Sequence, residues 1–283
     1  MNDPGEMTPL AYAALGFEIA LGLAGIWLLW RLVLRRQART SAARRLGEWR
    51  LPPVDFACFL CFAFVGASVV SWLSGPIMSR LRLGEDALMV SSAAAMHVGI
   101  LAGLGGFYLL YRRRDPMPLG TGPLREVLES GAATFLIAVP ILFLVSNGWE
   151  FLLRAKGIPP ERQELVDILE NSRSAFVRGS LVLEATLLVP LTEELLFRGG
   201  LFRYARTRLP RWTAILFTSL LFGALHVDWG NHMSGIASFM PLTALAVIFC
   251  LAYERTGRLG TVVVAHALFN LNTFVLIFGG VGS

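Results

Sequence analysis

Charge is scarce in this chain. Only 16% of its 283 residues are Asp, Glu, Lys or Arg, against about 25% in a soluble globular domain, and Lys156 is the single lysine among 25 basic residues. Cysteine is scarce as well: Cys58, Cys61 and Cys250 are an odd set in a long chain, which excludes a disulfide framework. Cys58 and Cys61 form a CxxC, but inside an apolar run and without the strand-to-helix setting of a redox motif. With Cys250 they read as buried, inert thiols. Low-complexity tracts, internal repeats and any linker that would set off a soluble domain are also missing, which leaves one continuous unit. The first twenty residues hold Asp3 and Glu6 but no basic residue, contrary to the positive start of a cleaved signal peptide, so the first apolar run is expected to be a retained anchor.

What is present in quantity is apolar. Fifty-five per cent of the residues are hydrophobic and the mean hydropathy is +0.60, the composition of an integral membrane protein. Runs of the roughly 17–25 residues needed to span occur near 10–34, 54–78, 87–111, 130–149, 180–202, 211–227, 234–253 and 260–279. They lack the period-two alternation of a membrane β-barrel. The fold class expected is therefore all-α, a polytopic transmembrane bundle of about eight spans with its working residues inside the membrane.

Arginines set the expected orientation. Arg35, Arg36, Arg39, Arg44, Arg45 and Arg50 follow the first span, Arg112, Arg113, Arg114 and Arg125 the third, Arg203, Arg206 and Arg208 the fifth, and Arg255 and Arg258 the seventh. Those loops are expected in the cytoplasm and both termini outside. A net charge of +5 and a pI near 9.6 do not imply nucleic acid, because the basic residues sit at span ends, where topology and anionic lipid account for them. The bias to arginine hints at a GC-rich genome, and a bacterial plasma (inner) membrane is the expected location. Between 150 and 179, Glu161, Glu164, Asp167 and Glu170 interleave with Leu165, Ile168 and Leu169, a pattern for an amphipathic helix at the outer interface. Gly99 and Gly103 form a small-xxx-small pair suited to close helix packing, and Trp149, Trp212 and Trp229 suit the interfacial aromatic belt.

Polar clusters interrupt the apolar runs of the second half: Glu193, Glu194 and Arg198, then His226, then His266 and Asn270. A charge at the bilayer centre costs at least about 2.5–3.5 kcal/mol, so such residues are expected to serve a function. Glu194 and Arg198 are four apart and can pair on one helix face, whereas Glu193 is rotated by about 100° and left free to act as a base. Pro190 removes a helical donor beside it, and the resulting kink can admit water or peptide. His266 with Asn270, and Phe222 with His226, also share faces, and rise per residue places the four polar groups at depths where they can meet. A carboxylate base, two imidazoles and an amide donor are what peptide hydrolysis by water requires. Singly, each has a structural reading: Glu194 with Arg198 as a packing ion pair, an intramembrane histidine as a hydrogen-bonded packing residue. His97 takes that packing reading, His232 reads as a solvated loop residue, and Glu18 and Glu184 receive no catalytic role.

Glu193-Glu194-Leu-Leu-Phe-Arg198-Gly199, Leu-Leu-Phe222-Gly-Ala-Leu-His226 and His266-Ala-Leu-Phe-Asn270-Leu271 together resemble the three motifs of the CPBP intramembrane proteases, the CAAX prenyl protease or Abi family. The resemblance covers roughly residues 130–280 and divides the chain into motif-free transmembrane helices at 1–125 and a protease core at 126–283. It implies that Glu193 and His226 activate water, that His266 and Asn270 form the oxyanion hole, and that Glu194 and Arg198 organise the site. It also raises zinc, for which Glu193, His226 and His266 would be the ligands. The HExxH spacing of zinc proteases is missing, and a metal-free glutamate mechanism without a cofactor is favoured. The expected partners are a membrane-anchored protein or peptide substrate and the lipid bilayer. A transporter or proton relay, or a non-catalytic immunity or scaffold member of the same family, stands as the alternative.

Overall fold

The computed structural model describes residues 9–37, 46–112, 120, 122–158, 172, 174–227, 229 and 235–278. Every regular element among them is helical, and we number eight: α1 (Pro9–Leu29, prolonged by a π-helical turn at Trp30–Leu34), α2 (Pro53–Leu81), α3 (Glu85–Tyr111), α4 (Leu124–Ala155), α5 (Ala175–Arg208), α6 (Arg211–Ala224), α7 (Ile236–Thr256) and α8 (Leu259–Phe278). Six are long and apolar enough to cross a membrane, while α6 and the apolar part of α1, Ile19–Leu34, are shorter. The chain is an all-α polytopic membrane bundle, as its apolar runs predict. The amphipathic helix expected near 161–170 and His232 fall outside the described residues, as does the side chain of Glu18.

In hydrocarbon a helix satisfies its own backbone but gains little by hiding apolar side chains, so the outer helices keep them on the outside. Phe64 and Trp72 of α2 and Phe151 of α4 are each more than 70% exposed. The same logic corrects one expectation: only Cys250 is buried, while Cys58 is half-buried and Cys61 exposed on the outer face of α2. The protein interior is built around α7, where Leu245, Phe249, Cys250 and Tyr253 pack with Phe202 of α5, Ile215 of α6 and Val262 of α8.

α2 and α3 form the tightest pair. A Cβ at Gly66 would collide with the Gly99 carbonyl, one at Gly99 with the Gly66 carbonyl, and one at Gly103 with the Phe62 carbonyl. The backbones are in direct contact, as the Gly99/Gly103 spacing predicts.

The segment before α2 folds inward. Trp49 and Leu51 are fully buried, Trp49 meeting Phe56 and Phe59 edge-on. The amide of Trp49 donates to Thr207 Oγ1 at 3.0 Å, Arg203 Nε donates to the Gly47 carbonyl at 2.9 Å, and the Arg208 guanidinium donates to the carbonyls of Trp49 and Leu51. Arg206 and Arg211 both pair with Glu254 of α7, at 2.9 and 2.5 Å. Arginines that read as topology signals therefore also tie down a buried backbone segment at one end of the bundle.

Gly103→Leu should lower the thermal unfolding midpoint in detergent, by an overpacking cost of about 1–3 kcal/mol, because the new side chain starts inside the Phe62 backbone. Gly105→Ala, where a Cβ meets nothing within 4 Å, should leave the midpoint unchanged or slightly higher. Equal responses at the two positions would mean that the α2–α3 contact contributes little to stability.

Candidate active site

α5 supplies the acidic residues and is not a plain α-helix. An α-helical stretch, Val189–Glu194, lies between two π-helical turns, Glu184–Leu188 and Leu195–Phe202. Each wider turn shifts the helical register and leaves backbone groups for partners other than the next turn. Gly200, in the second π turn, has the Phe59 ring of α2 where a Cβ would be, which brings the N-terminal helices against the acidic segment.

Glu194 and Arg198 form the buried layer, their side chains 0% and 1% exposed. Arg198 Nη1 donates to Glu194 Oε1 at 2.9 Å. Its guanidinium lies over two rings, Phe222 of α6 at 4.7 Å and Phe249 of α7 at 5.2 Å, so the cation is held by aromatic faces as well as by its carboxylate. The same oxygen of Glu194 lies 2.9 Å from His266 Nδ1 on α8. An ionised carboxylate only accepts hydrogen bonds, which assigns the proton to Nδ1.

Glu193 sits in the more open layer above this pair. Its Oε1 is 3.7 Å from His226 Nε2 and its Oε2 is 3.9 Å from His266 Nε2, with the carboxyl 20% and His226 32% exposed. His226 lies just past the end of α6, not inside a spanning helix as the 211–227 run suggests. Its Nδ1 is 2.8 Å from the Phe222 carbonyl, to which it can only donate, so Nε2 is left facing Glu193. At 3.7 Å the two groups are too far apart for a direct hydrogen bond and close enough to share one water.

The structure thus gathers Glu193, Glu194, Arg198, His226 and His266 around one point of the bundle. Asn270 stands one turn along α8 from His266, and its side-chain amide donates to the Ala185 carbonyl of α5 at 2.6 Å. Two participants were not legible beforehand. Phe249, in a span without a motif, reaches both Arg198 and the His266 ring, 5.6 Å away. His97 of α3 is buried and hydrogen-bonded, as its packing reading expects, but its partner is Thr192, at 2.8 Å and next to Glu193. Thr192 spends its own proton on the Leu188 carbonyl, so His97 Nδ1 is the donor. Glu184 is buried in the first π turn. No group of three or more His, Cys, Asp or Glu side chains among the described residues is arranged as a metal-holding cluster.

Removing one partner of a buried ion pair costs about 3–5 kcal/mol, so Arg198→Leu should depress the unfolding midpoint strongly. Arg198→Lys should recover only part of it, because an ammonium cannot lie flat between two rings. Full recovery by lysine would show that charge alone matters there.

A family described as Type II CAAX prenyl endopeptidase Rce1-like matches residues 178–272, the interval that holds all of these motif residues. An Escherichia coli protein called "Uncharacterized 24.3 kDa protein" is 30% identical over 217 residues, covering 74% of this chain and 91% of the relative. In Bacillus subtilis, "Uncharacterized protein YpbD" is 38% identical over 85 residues, 30% of this chain and 39% of the relative. "Putative membrane peptidase YdiL" of the same organism is 28% identical over 97 residues, 34% of this chain and 36% of the relative. The chain therefore spans well under half the length of the two Bacillus proteins. No solved structure matches it. With the family match lying over the polar cluster and a relative aligned along 91% of its length, the chain belongs to the Rce1-like CAAX prenyl endopeptidase family.

Proposed function

We propose that this protein is an intramembrane endopeptidase in which Glu193 and His226 activate water and His266 and Asn270 stabilise the oxyanion. The observation that carries the reading is the placement of the Glu193 carboxylate, half-open, 3.7 Å from one imidazole and 3.9 Å from another, above a closed ion pair. A water between Glu193 Oε1 and His226 Nε2 donates a hydrogen to each and keeps a lone pair for the scissile carbonyl carbon. As the C–O bond forms, Glu193 takes the proton. As the C–N bond breaks, it returns that proton to the leaving amine.

Geometry supports His266 as the oxyanion donor of this reading: Nδ1 is held 2.9 Å from Glu194 Oε1, which fixes the ring and turns Nε2 toward the Glu193 side, where the oxyanion develops. We read the site as metal-free, with Glu193 as the base that both imidazoles face. The substrate is a protein or peptide anchored in the same bilayer. The polar arginine layer faces the cytoplasm of a bacterial inner membrane, with both termini outside. Division at 125/126 into N-terminal helices and protease core belongs to this reading, and the contact of His97 with Thr192 makes the first part a support for the second.

The first experiment is quantitative terminal peptidomics of host membranes carrying wild-type or Glu193→Gln protein at equal level. New termini should vanish in the variant, and on a substrate so identified its turnover should fall by about 10²–10⁴-fold. Retained cleavage would sink the proposal. His266→Ala should lower turnover by about 10²–10³-fold, as loss of an oxyanion donor does. Turnover of the purified protein should be unchanged by 1,10-phenanthroline or EDTA, and inhibition reversed by added zinc would establish the metal route instead.

A further inference from the structure

Asn270 does not stand free in the site, and the reason lies in α5. In the first π turn the Val189 amide donates to the carbonyl of Glu184, five residues back. The next donor in that register would be residue 190, and the next acceptor is the carbonyl of Ala185. Residue 190 is proline, which has no N–H, so the Ala185 carbonyl is left without its helical donor. An orphaned carbonyl within a membrane span must find a partner from outside the helix. The partner is Asn270 Nδ2, at 2.6 Å.

We infer that Pro190 is a positioning residue for Asn270: by deleting one helical hydrogen bond it creates the acceptor that captures one N–H of the amide, and so aims the other at the reacting carbonyl. This rests on the proposed oxyanion role of Asn270 and assigns the part of the chain that fixes it. A carboxamide has two donors on one nitrogen. With one committed to a rigid backbone oxygen, rotation about the terminal side-chain torsion stops, and the second hydrogen has a set direction. A proline at 189 or 191 would orphan a different carbonyl, facing another side of α5, and would not serve α8. The π turn is equally necessary, since without it residue 190 would be in register with Thr186.

The test is a double-mutant cycle on the full-length protein in detergent, read out in two ways. Pro190→Ala restores a main-chain donor for the Ala185 carbonyl and should release the amide. On the substrate identified by terminal peptidomics, Pro190→Ala should lower kcat towards the value of Asn270→Ala, a loss of about 10²–10³-fold, with little change in KM. In the Asn270→Ala background it should cost nothing further. The second readout needs no activity. Asn270→Asp puts an acceptor against the orphaned carbonyl, so it should lower the unfolding midpoint of the protein that keeps Pro190 by several degrees. Combined with Pro190→Ala it should lower the midpoint much less. Additive midpoints would overturn the link between the two residues. Coupled midpoints with an unchanged kcat for Pro190→Ala, or an equal kcat loss in both backgrounds, would overturn the positioning role. If Glu193→Gln still cleaves, the catalytic reading fails by itself, while the midpoints still report whether Pro190 holds Asn270.

Discussion

A buried arginine in hydrocarbon must be paired and covered, and the centre of this bundle follows from how Arg198 is treated. Its carboxylate partner, Glu194, comes from the same helix one turn earlier. Its cover comes from two others, Phe222 of α6 and Phe249 of α7, and each ring also touches a histidine, His226 or His266. Glu194 in turn accepts from His266 on α8. One cation therefore sets the relative positions of α5, α6, α7 and α8. Exchange of any one of these contacts moves an imidazole relative to Glu193.

Much of this was visible in the residues. The four-residue spacing of Glu194 and Arg198 predicts the pair that forms, and the one-residue offset of Glu193 predicts that it faces elsewhere. Span positions follow from hydropathy because the hydrocarbon core leaves the backbone no alternative to helix. The register breaks in α5 were not visible. A π turn is decided by what its freed carbonyl can find, and the finder, Asn270, is 85 residues away from Ala185. Phe249 was hidden for another reason: in an apolar span one phenylalanine carries no periodic signal that sets it apart. The inward fold of Trp49 and Leu51 depends on Thr207 and Arg208, which are farther still along the chain, 158 and 157 residues away.

The first three helices carry no motif, yet they are not a detached appendage. Phe59 fills the notch at Gly200, His97 holds Thr192, and the Trp49 segment is pinned by two arginines and one threonine of the α5 terminus, Arg203, Arg208 and Thr207. α5 is thus gripped on one side by α2 and α3 and on the other by α7 and α8. A helix weakened twice by π turns can hold its carboxylates in place because both flanks are packed.

α6 has 14 residues, a length of about 21 Å against a hydrocarbon core of about 30 Å. Its C-terminal carbonyls are served locally, Phe222 by His226 and Ala224 by the indole of Trp229. The lipid beside α6 must thin, or the helix end must sink below the headgroups, and both cost free energy that depends on acyl-chain length. His226 rides on that end. Membrane thickness thereby bears on the helix that carries the imidazole, and packing against α5 and α7, not length, keeps that helix level with Glu193 and His266.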